Sequence, residues 1–375
     1  MEPSTPICLL ILFAIILYRI AKKLRRKQQV LRFQKARGCA SSPQTPKAWV
    51  GLPQVLHLIH ALRGNEFLHY VQNLFRIYGN TFSYNTFGAQ SIWTTEPENI
   101  QASLSTQSQD FEIGSSRHKA LLPLVGRSIL TTDGSAWAHH RSMIRPNFAK
   151  SQVNLEIFEK HFLDLLACVP KDDSTFDLRE LLRKLTMDIS TDFLLGHSTN
   201  SLALHSVGKK DDFSDAWDTA ISWLPLRCHL GAVMDWIPHP EFFKACTTVH
   251  LYADQLVELA LAQHRKVFTD TAASGKRYIF LHALAKVVTD RIQLRDHVIS
   301  VLSAGRDSTA ELLSCTINLL TKHRGVLRSL REEIHQLNGQ KPSAEKLKEM
   351  KYLRNVLFEG KPQLWLLEMY AEMIP

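Results

Sequence analysis

One long helix constrains this chain more than any other feature. Leu294, Val298, Val301, Gly305, Ser308, Leu312, Cys315 and Leu319 recur at steps of three and four. That period predicts a helix over Asp290–His323 with one buried stripe. Lys322, His323, Arg324 and Gly325 read as its stop, with cations at the negative dipole end and glycine beyond. The stripe is broken at its centre by Ala304-Gly305-Arg306-Asp307-Ser308-Thr309. A mid-helix glycine costs about 1 kcal/mol against alanine, and a carboxylate facing a core costs more unless paired. Breaks of this kind cluster at functional sites. Two readings stand. Gly305 lets a flat molecule reach the backbone while Asp307 with Ser308 or Thr309 relays protons. Alternatively, Gly305 admits a crossing helix and the hydroxyls bond back to the preceding turn.

Charge narrows the class. The net charge is +9, yet residues 1–37 carry nine Lys/Arg and one acid. The rest of the 375-residue chain is close to neutral, which argues against a nucleic-acid-binding body. The basic cluster Lys22–Lys27 follows an apolar run, Ile7–Ile20, in which ten residues are Leu, Ile or Phe. Fourteen residues rise about 21 Å against a hydrocarbon core of roughly 30 Å. Extension from Pro3 to Leu24 with snorkelling lysines closes most of that gap. Basic residues follow the run instead of preceding it, and no small-residue cleavage site is evident, so an anchor is favoured over a cleaved signal. The expectation is a membrane signal-anchor with basic flank at 1–24 and a polar, proline-marked hinge at 25–48. The body is placed in the cytosol.

The globular part is expected over 49–357. Thr81–Phe87 and Ser91–Thr95 read as short strands around Gly88. Helices are expected at Phe176–Leu195, Asp212–Leu224, Phe242–Phe268, Val326–Leu337 and Ser343–Leu357. The fold class is thus mostly α with a small N-terminal β region. Six scattered cysteines form no CxxC pair and read as structural thiols. His57 and His60 recruit no further ligand and read as structural.

A second constellation is Trp137-Ala138-His139-His140-Arg141, followed by Arg145-Pro146. On a helix Trp137, Arg141 and Arg145 share a face. An aromatic and two guanidiniums suit a flat anion with carboxylate arms; the alternative is a cation–π pair on a solvated helix. His139 and His140 are adjacent, point apart on a helix and suggest no metal site.

Several ordered blocks together resemble a known family. Tyr78-Gly79-Asn80-Thr81-Phe82 precedes Glu96-Pro97-Glu98-Asn99-Ile100, and Thr132-Asp133-Gly134 precedes "WAHHRSMIRPNFAKSQV" at 137–153. "LTMDISTDFLLG" at 185–196 and "LRDHVISVLSAGRDSTAELL" at 294–313 follow. Over about residues 38–357 the chain resembles fungal cytochromes P450, particularly the class that hydroxylates alkanes and fatty acids at their ends. The resemblance implies a P450-like helical domain, an endoplasmic-reticulum membrane anchor, heme as cofactor and NADPH-cytochrome P450 reductase as electron donor. It implies that Trp137, His140, Arg141 and Arg145 hold heme propionates. Ala304 and Gly305 match the oxygen-binding kink, and Asp307, Ser308 and Thr309 the acid–alcohol proton relay. Phe111, Leu121 and Leu124 lie where the family's mobile substrate loop begins, so they are expected to line a site for a hydrophobic small molecule.

The family pattern stops near residue 358. Lys351–Leu357 leads toward Glu-x-x-Arg, but Glu359 is followed by Pro362 where arginine is expected. The Phe-x-x-Gly-x-x-x-Cys-x-Gly loop, which gives the iron its axial thiolate, is not found, so no metal ligand is assigned. Residues 358–375 read as a non-family tail on a C-terminally truncated P450 domain, a break that suits a frameshift, an altered splice or a premature end of the gene reading. The expectation for such a chain is weak heme binding and no monooxygenation. The alternatives are a non-catalytic membrane-anchored remnant and, where the full gene is intact, a secondary-metabolite oxidase.

Overall fold

Local capping fixes where the helices begin. The computed structural model describes residues 4–38, 42–46, 51–64, 66–86, 89–148, 154–172, 174–267 and 278–360. In chain order these form α1 (Ser4–Arg37), α2 (Leu52–Arg63), α3 (Phe67–Tyr78), β1 (Thr81–Thr86), β2 (Ala89–Thr94) and α4 (Pro97–Gln101). Then come α5 (Ser115–Val125), α6 (Gly134–Ile144), α7 (Leu155–Cys168), α8 (Leu178–Leu195), α9 (Ser201–Ser206) and α10 (Asp212–Leu230). The last are α11 (Pro240–Val267), α12 (Phe280–Leu284), α13 (Arg291–Lys322), α14 (Arg324–His335), α15 (Ala344–Glu349) and α16 (351–360). Asn154, Asp177, Asp211 and Asp290 cap α7, α8, α10 and α13, each side chain accepting from a backbone N–H of the first turn at 2.7–3.1 Å. Each such cap contributes about 1 kcal/mol.

The mostly helical expectation holds. β1 and β2 pair antiparallel from Thr81 opposite Thr94 to Thr86 opposite Ala89. One face buries Phe82, Tyr84 and Trp93 against Val71 and Leu74 of α3. The main core lies where α8, α10, α11 and α13 meet and includes Met187, Trp217, Phe242 and Leu294–Leu302 positions of the long helix. A smaller cluster joins α7, α8 and α13 through Leu165, Leu181, Leu185 and Ala310.

Three readings change. α13 does end at Lys322, but the stop is His323 (φ −112°, ψ 70°), and Gly325 is the second residue of α14. Two adjacent helices therefore share one hinge residue and need no glycine cap. The helix expected over Ser343–Leu357 breaks at Met350 into α15 and α16, because Glu333 of α14 accepts from the N–H groups of Tyr352 and Leu353 at 2.9 and 2.8 Å and starts a new helix there. The membrane-spanning anchor at 1–24 is not supported: no helix among the described residues is long and apolar enough to cross a membrane. Instead the apolar run and its cationic flank lie on one 34-residue helix, α1. Gly88, Phe268 and residues 361–375, with Pro362 and most of the expected tail, lie outside the described residues.

Candidate active site

The broken stripe remains helical throughout, so its polar groups had to find partners. Ser308 Oγ donates to the carbonyl of Ala304 at 2.5 Å, the back-bond to the preceding turn. Arg306, only 1% exposed, donates to Asp307 Oδ1 at 2.7 Å and to Asp218 of α10 at 2.5 Å. Trp217, also of α10, donates its indole N–H to Asp307 Oδ2 at 3.4 Å. The acid of the pair is thereby held on two sides. Ala304, Gly305 and Thr309 are exposed, and a Cβ added at Gly305 would meet only Ser190 Oγ, at an ordinary 3.6 Å. Ser190 belongs to α8, so Gly305 does face a crossing helix, at a distance that an alanine would also tolerate, while the residue itself stays exposed.

α6 supplies the second constellation. Arg141 stacks over the Trp137 ring at 5.3 Å, and both are exposed. Arg145 opens a 3-10 turn, Arg145–Phe148, which removes it from the α-helical period of Trp137 and Arg141. His140, three residues on from Trp137, lies on the adjoining flank of the helix. It is buried, and its Nδ1 lies 3.2 Å from Nε2 of His297 on α13, the rings meeting edge to face at 4.8 Å. Burial, with His140 and His139 nearby, pushes His297 down to about 4. Burial is also the main cause lowering His140. This contact pins α6 to α13 eight residues before Gly305, about 12 Å along the axis.

Asp296, next to His297, closes the same region. Its carboxylate accepts from the Arg127 N–H at 2.9 Å and from the Arg295 guanidinium at 2.9–3.1 Å, and burial raises its pKa against those bonds. Gly126 makes the approach possible: at φ +58° it has no Cβ, and one built there would lie 2.0 Å from the Asp296 carboxyl carbon.

The residues expected to line a substrate site are not brought together. Leu124 is sealed in the main core, Leu121 packs half-buried against it, and Phe111 is 55% exposed. None of them lines the three cavities of 350–580 Å³ found in the described residues. The largest lies beside His139, Met143 and Gln293, at the first turn of α13 and away from Gly305. Sequence reasoning missed His297, Arg306 and Asp218. A signal for the first existed: Asp296-His297 puts two polar residues in the apolar half of α13.

Comparison with known proteins decides the family. The model described as Cytochrome P450 matches residues 44–360. The chain is 34% identical over 332 residues to cytochrome P450 monooxygenase fsdH of Fusarium heterosporum, covering 84% of this chain and 57% of that protein. It is 33% identical over 355 residues to cytochrome P450 52A13 of Debaryomyces hansenii, covering 90% and 68%, and 32% identical over 329 residues to cytochrome P450 52A3-A of Candida maltosa, covering 82% and 62%. This chain belongs to the cytochrome P450 family. It spans 57–68% of the length of these three relatives.

The P450 family implies heme, and the residues of α6 and α13 fit one side of it. The open Ala304–Gly305 segment allows a flat macrocycle to approach the backbone. Arg141 and Trp137 are accessible donors for its carboxylates. On the thiol side no ligand is assigned: burial raises Cys168, Cys228 and Cys315, and raises Cys246 to about 12.

Proposed function

We propose that these residues form the distal side of a heme-thiolate monooxygenase acting on an aliphatic, lipid-like substrate with dioxygen and NADPH-derived electrons. The observation that carries this is the exposed backbone at Gly305 beside a carboxylate, Asp307, that Trp217 of α10 and the neighbouring Arg306 hold in place. Heme, when bound through a thiolate, supplies the oxygen activation and C–H oxidation. The chain's own residues do the rest. Arg141 and Trp137 hold the propionates. Ser308 keeps its proton on Ala304 O and must rotate outward to deliver it. Asp307 lies at the preceding position, its carboxylate accepting from Arg306 and from the Trp217 indole N–H.

The partner in this reading is NADPH-cytochrome P450 reductase. The apolar run Ile7–Ile20 with its cationic flank attaches the body to the endoplasmic-reticulum membrane from the cytosolic side. Relatives named 52A13 and 52A3-A favour the alkane and fatty-acid class. The chain is expected to bind heme through this face. Titrating the full chain with hemin, reducing it and adding carbon monoxide tests this. Saturable binding weakened roughly tenfold or more by Arg141→Ala, for loss of a charge-assisted pair, supports the distal site. No binding at any hemin concentration, or binding unchanged by Arg141→Ala, overturns it.

A further inference from the structure

The His140–His297 pair has an asymmetry that assigns its proton. The two facing nitrogens, His140 Nδ1 and His297 Nε2, are 3.2 Å apart and share one hydrogen. The far nitrogen of His297, Nδ1, is sealed from solvent and has no hydrogen-bond partner. If His297 accepted from His140, its own proton would lie on that sealed Nδ1, a buried donor with nothing to receive it. If His297 donates, Nδ1 keeps only an unused lone pair. Orphaned buried N–H groups are the rarer and costlier of the two. His297 therefore donates through Nε2, and His140 accepts through Nδ1. His140 is left with its proton on Nε2, an atom that is neither sealed nor bonded within the described residues.

We propose that His297 is a positioning residue that fixes His140 in the Nε2–H tautomer, so that this N–H is presented to a porphyrin carboxylate beside Arg141. The proposal rests on the heme reading above only for the identity of the carboxylate. The surroundings keep the pair neutral. His297 is fully buried, and the charged or titratable groups that act on the two rings are His139 and Arg127, which oppose a positive charge, and Asp296, which favours one on His140. Ser300 Oγ donates to the His297 carbonyl at 2.8 Å and leaves the ring alone. A neutral His297 holding its proton on Nε2 is a fixed donor, as the outer partners of functional histidines commonly are.

The test uses the full chain labelled with ¹⁵N-histidine, without heme, and reads long-range ¹H–¹⁵N correlations. Signals of the seventeen histidines are assigned by loss in single variants. His140 is expected as the pure Nε2–H form. In His297→Leu it should become a tautomer mixture, while His297→Gln, whose amide N–H can replace the donor, should restore Nε2–H. Hemin affinity, read by tryptophan quenching, should fall roughly tenfold in His297→Leu and in His140→Leu, no further in the double variant, and within about twofold of the parent in His297→Gln. A proton on Nδ1 of His140 in the unsubstituted chain overturns the proposal, whether or not His297→Leu folds. Equal hemin affinity in parent and His297→Leu, with both folded, also overturns it. Failure of every variant to bind hemin would sink the heme reading, and the tautomer would still decide the role of His297.

Discussion

Single residues carry unusual electrostatic weight here. Arg306 is a full charge in the protein interior, tolerable because two carboxylates meet it, and His297 is a fully buried imidazole kept neutral. The second has a direct consequence for stability. In the folded chain His297 is pushed down to about 4, while an unfolded histidine titrates near 6.5. Between those values the unfolded chain binds a proton that the folded chain refuses. The stabilisation is complete above about pH 6.5 and is lost as pH falls toward 4, by about 3 kcal/mol for this one group. His229, also pushed down to about 4 by burial, acts in the same sense. Urea midpoints should fall steadily from pH 7 to 5, with a shallower slope in His297→Gln. A flat midpoint over that range contradicts the burial of the pair. The sequence named His140 and passed over His297, for a physical reason: their contact spans 157 positions, and no local period reports it. Asp307, Ser308 and Gly305 were legible because they break a period that their own helix sets.

Elements show the same division. The starts of α13, α8 and α10 followed from spacing, and Asp290, Asp177 and Asp211 each satisfy the first turn of their own helix, whereas α10 runs to Leu230, past the expected end at Leu224. What joins helices was not legible. Arg306 ties α13 to α10 through Asp218, and Asp296 ties α13 to the end of α5 through Arg127. Glycine separates backbone strain from close approach in this second joint. Gly126 and Gly134 have nearly equal φ, +58° and +56°. A Cβ at Gly134 meets nothing within 4 Å, whereas one at Gly126 collides with the Asp296 carboxylate. Gly134→Ala should therefore cost only the left-handed strain, about 1–2 kcal/mol. Gly126→Ala should cost about 2 kcal/mol more, because it also displaces a buried carboxylate from its donors. Paired denaturation curves check this, and equal losses would show that the α5–α13 joint yields without cost.

Across the whole molecule, the helices around the main core leave one apolar face uncovered among the described residues. Phe158, Phe162 and Leu166 recur every four residues along α7 and are 41–50% exposed, with Leu163 beside them. The opposite side of the same helix buries Ile157, His161 and Leu165. α7 is therefore apolar on both sides, which is the pattern of a helix between two layers. The His161–Asp192 contact at 2.9 Å and the Leu165 packing fix α7 on α8, so it cannot roll to hide the outer stripe. Contiguous exposed apolar surface of this sort drives association. The 42.8 kDa chain should show a light-scattering mass that rises with concentration above the monomer. Phe158→Gln with Phe162→Gln should lower that rise. α1 is present in parent and variant alike, so any difference reports α7 alone. The two substitutions remove exposed rings and leave the buried side of α7 intact, so stability should change by no more than about 0.5 kcal/mol. An unchanged association curve would place the sticky surface elsewhere. A large loss of stability would show that these rings are packed within the domain.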